Sequence, residues 1–192
     1  MPAESIVFAG LELRSGRKPV TFISLDDELN VQPPQRWDIS EALACLGDYE
    51  SVWLAVSLSS RAREAEQDLT QQIRQTGYAP YPRQSGSRQL LITNAQACFQ
   101  ALIGQRPLPR RTLEGRLQRS AVLYEQGLQI RDPVEIFEEI TRYRLVQGIL
   151  PLEDIYSSKE LDALVAAYVA WLAATSPGQT QVQGDFVLPV TE

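Results

Sequence analysis

The chain has 192 residues and a mass of 21.5 kDa; with 44% hydrophobic and 22% charged residues it is long enough for one domain with a substantial core. Its 18 basic and 24 acidic side chains leave a net charge of −6, which argues against wholesale coating of nucleic acid. With no histidine and only Cys45 and Cys98, the sequence excludes Ser–His and Cys–His dyads, histidine-ligated zinc, a four-thiolate site and a disulfide framework.

Ser5 to Leu13 (SIVFAGLEL) is apolar almost throughout, the pattern of a strand covered on both faces. Arg14 to Arg17 supplies turn chemistry, and the β-branched and aromatic run Pro19 to Leu25 predicts a second strand. A short third strand is expected over Glu28 to Val31, ended by Pro33-Pro34 and completing an antiparallel meander. Asp38-Ile39-Ser40-Glu41 has capping-box spacing for a helix that stops near Gly47, and Val52 to Leu58 predicts a fourth, buried strand. Ser59 or Ser60 would cap a polar helix ending near Gly77, after which the Pro- and Gly-rich stretch through Gly86 is a loop. Further helices are expected from Thr93-Asn94 to Gly104 and over Thr112 to Gln126. Val134 to Phe137 predicts a short strand, Glu138 to Gln147 a helix, Leu161 to Ala174 a buried helix, and Gly184 to Val190 an extended tail.

Charge is unevenly distributed. Residues 61–119 carry ten arginines and four acids, whereas both flanking segments are acidic. Guanidinium forks suit bidentate phosphate contacts, so residues 61–127 are expected to form an arginine-rich helical insertion. The plainer alternative pairs Arg61 and Arg63 with Glu64 and Glu66 on a solvated helix face and leaves Arg110-Arg111 on a loop.

Three carboxylates stand out. Glu12 is an acid inside an apolar strand, where burial requires compensation by a cation, unless it sits at the strand end beside Arg14. Asp162 lies in the first turn of a helix that is apolar around most of its circumference, where the macrodipole alone is a sufficient reason for it. Glu135 sits in the predicted Val134–Phe137 strand. Ser157-Ser158-Lys159-Glu160 fits a second capping box, which accounts for Glu160.

In this order the chain resembles the RNase H-like superfamily, specifically a domain-of-unknown-function family regarded as predicted, RuvC-like nucleases of that fold. The similarity is carried by Val7-Phe8-Ala9-Gly10-Leu11-Glu12, Val134-Glu135-Ile136-Phe137, the helix from Ser158 through Leu161-Asp162-Ala163, and the closing Gly184 to Pro189. Family members end the first strand in Asp where this chain has Glu12, begin the helix with His-Asp where it has Ser158-Lys159, and carry an acid near Ala55. The resemblance implies an α/β fold with a mixed sheet, an antiparallel meander plus parallel strands, flanked by helices. It also implies Mg²⁺ or Mn²⁺ held by Glu12, Glu135 and Asp162, hydrolysing phosphodiesters of nucleic acid bound by Arg106, Arg110, Arg111 and Arg116. The alternative is an inactive binding or scaffold protein on the same fold, with oligomer formation through its apolar helices. A nucleotide binder of this architecture would want a phosphate-cradling glycine loop, which the sequence lacks. Without a basic, apolar leader or a ~20-residue apolar span, a cytoplasmic location is expected.

Overall fold

Alternation along β1 (Val7–Leu13) sends Phe8 to one face of the sheet and Ala9, Leu11 and Leu13 to the other, and both faces are covered. The strand therefore reads apolar throughout rather than alternating. The computed structural model of the protein describes residues 6–13, 19–58, 64–146 and 155–190. In it β1 pairs antiparallel with β2 (Val20–Leu25), and β2 antiparallel with β3 (Gln35–Trp37). On its other side β1 pairs parallel with β4 (Val52–Ser57), β4 with β6 (Arg88–Thr93), and β6 with the short β5 (Ala79–Pro80). The order across this mixed sheet is β3-β2-β1-β4-β6-β5.

Two helices, α1 (Ile39–Asp48) and α2 (Glu64–Gln75), cover one face through Ala42, Leu46, Leu69 and Ile73. The other face is covered by α3 (Ala95–Ile103) and α6 (Ser158–Thr175), with α4 (Leu113–Glu125) against them and α5 (Pro133–Val146) further out. A 3₁₀ turn leads from α6 into a hairpin of β7 (Thr180–Gln183) and β8 (Phe186–Pro189), which packs beside β6 and α3. Because the sheet, α3, α4 and β8 surround it, α6 can be apolar on nearly every side. Among the described residues no helix is long and apolar enough to cross a membrane.

Gly10 sets the height of α6 on the sheet. A Cβ at this position would lie 1.8 Å from the carbonyl oxygen of Ala163 and 2.5 Å from the amide nitrogen of Ala167, so strand and helix backbones touch here. The first turn of α6 consequently lies over the end of β1.

Several expected elements form. Asp38 and Glu41 make a reciprocal capping box on α1, Asn94 and Thr112 cap α3 and α4, and Gly104 closes α3 in the left-handed conformation. Four expectations are corrected. Glu28–Val31 does not form a full third strand: the Asp26 carboxylate accepts hydrogen bonds from Glu28 N, Asn30 N and Asn30 Nδ2, which winds most of this stretch into a turn and leaves an isolated antiparallel bridge of Val31 to Leu25, and the third strand comes after the prolines as Gln35–Trp37. Arg88–Thr93, absent from the predicted elements, is β6. Residues 61–127 are therefore not a helical insertion, because β6 pairs with β4 along its whole length. Val134–Phe137 is the first turn of α5 and not a strand: Asp132 accepts hydrogen bonds from Val134 N and Ile136 N, and Pro133 occupies the first helical position, where its missing N–H costs nothing. The predicted turn at Arg14–Arg17 and the cap at Ser59 or Ser60 lie outside the described residues, as do Arg61 and Arg63.

Candidate functional site

Register places one polar residue from each of five strands in a row across the sheet. Arg36 of β3 faces Thr21 of β2, Thr21 faces Glu12 of β1, Glu12 faces Ser57 of β4, and Ser57 faces Thr93 of β6. The row lies on the face that α6 covers, at the end where the parallel strands finish. Open α/β sheets bind ligands at this end. Glu12, Thr21, Ser57 and Thr93 are all buried. Thr93 donates to the Val187 carbonyl at 2.7 Å, and Ser57 accepts weakly from the Ala95 amide at 3.4 Å. The Thr21 hydroxyl, beside Glu12, has no hydrogen-bond partner among the described residues.

The first turn of α6 supplies the opposite wall. Ser157 and Glu160 form the expected capping box, which frees Lys159 and Asp162 to face the sheet. Lys159 Nζ donates to Glu12 Oε1 at 2.6 Å, and Arg36 Nη2 lies 3.3 Å from Glu160 Oε1. One turn along, Asp162 Oδ2 forms an ion pair with Arg110 Nη1 at 3.1 Å. Arg110 arrives from the segment between α3 and α4. Gly115 permits this, since a Cβ there would lie 2.0 Å from the Pro109 carbonyl oxygen, and Leu108 N is anchored on Gln118 Oε1.

Electrostatics follow the geometry. Burial, and secondarily the negative charge of Glu12, push the Asp162 carboxyl up to about 7, although Arg110, Lys159 and Arg119 all pull the other way. For Glu160, burial would raise the pKa, but hydrogen bonds from Ser157 and the Arg36 guanidinium outweigh it and hold the carboxyl below its ordinary range. Arg119, almost wholly buried, donates to the carbonyls of Leu108 and Gly115 and to Gln96 Oε1, and lies over the Phe99 ring. Its Nε has no hydrogen-bond partner among the described residues.

Glu12 and Asp162 are thus brought together, as expected of them, but Glu135 is not. It sits in the first turn of α5, exposed in a shallow depression with Arg131, Glu138, Glu139 and Arg142. Nor does β4 contribute a carboxylate: Ala55, paired with Gly10, is wholly buried. Two metal ions need several free carboxylate oxygens converging on one point. Here one Glu12 oxygen is occupied by an ammonium and one Asp162 oxygen by a guanidinium, and no group of three or more metal-ligating side chains assembles among the described residues. The donor set does not fit Mg²⁺ or Mn²⁺.

The four arginines expected to hold nucleic acid divide. Arg116 donates to the carbonyls of Ile155 and Tyr156 and so ties down the chain just before α6. Arg88 does likewise for Gly47, Tyr49 and Thr76. Arg110 bridges to Asp162 while remaining partly exposed, and Arg106 and Arg111 are exposed with no ion pair among the described residues. Thr21, Ser57 and Thr93 were not singled out by sequence; Ser57 alone is the one polar residue of its strand, whereas β2 also carries Ser24 and β6 also carries Arg88 and Gln89. The chain matches no protein-family model and no curated protein sequence.

Proposed function

We propose that this chain is an RNase H-like domain that holds nucleic acid by its phosphates without cleaving it. The antiparallel meander followed by parallel strands agrees with the sheet that the sequence resemblance implies. The observation that carries the rest is the 2.6 Å contact between Lys159 Nζ and Glu12 Oε1. A side-chain cation compensates the buried acid where a metalloenzyme of this type would use an ion. With Arg110 on Asp162, two carboxylates meet two built-in cations, and no third ligating carboxylate joins them among the described residues. Arg36 and Arg110, paired with Glu160 and Asp162, keep part of their surface at the margin of this network, and Arg106 and Arg111 are exposed on the same inter-helix segment as Arg110, so a phosphodiester backbone can approach without displacing the core.

Fluorescence anisotropy with labelled single-stranded and branched DNA and RNA, from low to moderate salt, tests the reading. Binding is expected to weaken steeply with salt, and the combined Arg106→Ala, Arg110→Ala and Arg111→Ala variant to lower the log–log slope by about 2–3. The oligonucleotides are expected to stay intact in millimolar Mg²⁺ or Mn²⁺. Metal-dependent cleavage that Glu12→Gln abolishes would overturn the non-cleaving assignment, and no binding at low salt would overturn the nucleic-acid assignment.

A further inference from the structure

On the opposite face of the sheet from Glu12, a cleft of about 650 Å³ opens between α2, β6, the 80–83 turn and the β7–β8 hairpin. Pockets that bury small organic ligands fall in the range of ~300–1,000 Å³. Its position has a topological reason. β4 and β6 are parallel neighbours, yet the chain leaves β4 for α2 on one face and β6 for α3 on the other. Such divergence opens a crevice at strand ends. Leu58, at the end of β4, and Leu90 and Ile92 of β6 line it.

The chemistry of the walls is mixed. Along α2, Gln67, Gln71 and Arg74 recur at helical spacing and border the cleft. Each carboxamide offers both a donor and an acceptor, the combination that pairs with the edge of a nucleobase. Phe186 adds aromatic surface on the other side, and Tyr81 lines the rim, its ring held at 5.4 Å between centroids against Trp53 of β4. Such surface takes the flat face of a base. Arg74 is exposed and pairs with no carboxylate among the described residues. Arg83 reaches across to Asp185 on the hairpin tip at 3.8 Å, with both side chains at least 80% exposed. An ion pair that long and that solvated contributes little, so Arg83 can exchange it for a ligand phosphate.

We propose that this cleft binds a nucleoside monophosphate, with the base between the carboxamides and the aromatic side chains and the phosphate on Arg74 and Arg83. The site uses guanidinium forks rather than a glycine loop, and is separate from the acid network over β1. It does not depend on the domain binding nucleic acid.

Isothermal titration of the full chain with uridine 5′-monophosphate, uridine, inorganic phosphate and benzoate tests it. The nucleotide is expected to bind at least about tenfold more tightly than each of the other three. Arg74→Ala should weaken nucleotide binding about tenfold or more, and Arg74→Lys less, because the charge remains while the fork is lost. Arg74 is exposed, so an unchanged melting temperature will show that the variant folds. No nucleotide binding at millimolar concentration, equal affinity for benzoate, or affinity indifferent to Arg74→Ala would each overturn the assignment.

Discussion

Asp162 is buried beside a second carboxylate and still contacts a guanidinium, so its proton has two competing claims on it. The outcome is a carboxyl moved from 3.8 to about 7, with burial as the largest cause. Between those values the unfolded chain has already lost this proton while the folded chain keeps it. Stability therefore falls as pH rises through this window and levels off above it, by at most about 4 kcal/mol. Glu160 acts in the opposite sense, but only below its ordinary value of 4.5, where acid removes the stability its bonds provide. Chemical denaturation from pH 5 to 8 should show the decline, and Asp162→Asn, neutral throughout, should flatten it. A slope that survives the substitution would mean that another group titrates. The acids themselves were visible in the sequence, because a carboxylate inside an apolar run is a local anomaly. Their partners were not: Lys159 is 147 positions from Glu12, and no local signal specifies that pairing.

Gly10 and α6 form the contact that makes the site. With helix backbone 1.8 Å from a would-be Cβ, Gly10→Ala must push α6 away from β1 or distort the strand. A loss of about 3 kcal/mol or more is expected in urea denaturation, at the upper end of overpacking costs because the obstacle is main chain. A change below about 1 kcal/mol would show that α6 sits higher on the sheet than described. Helix ends were the most legible elements. Asp38, Asn94, Thr112 and Ser157 each cap through their own side chain, an interaction encoded within a few residues. The errors fell where two local signals compete. Val134-Glu135-Ile136-Phe137 is a short β-branched and aromatic run that reads as a strand, yet Asp132-Pro133 in front of it begins a helix; β6 is short and follows a turn-rich stretch that hides its start.

Across the molecule, protection should follow the layering. The centre of α6 lies between the sheet and α3, α4 and β8, whereas α5 exposes Val134, Phe137 and Val146. Hydrogen–deuterium exchange is expected to leave amides of β1, β4 and central α6 slowest, near the global unfolding limit, with α5 exchanging through cheaper local openings. Equal protection of α5 and α6 would contradict this layering. Composition excluded histidine chemistry, and the order of apolar segments revealed a layered α/β domain with a buried C-terminal helix, because periodicity and capping act over a few residues. Whether Glu12, Glu135 and Asp162 share a pocket was settled by packing alone. Strand register and the Gly10–α6 contact bring two of them together and supply each with a cation, while the helical start at Pro133 carries the third out to the surface.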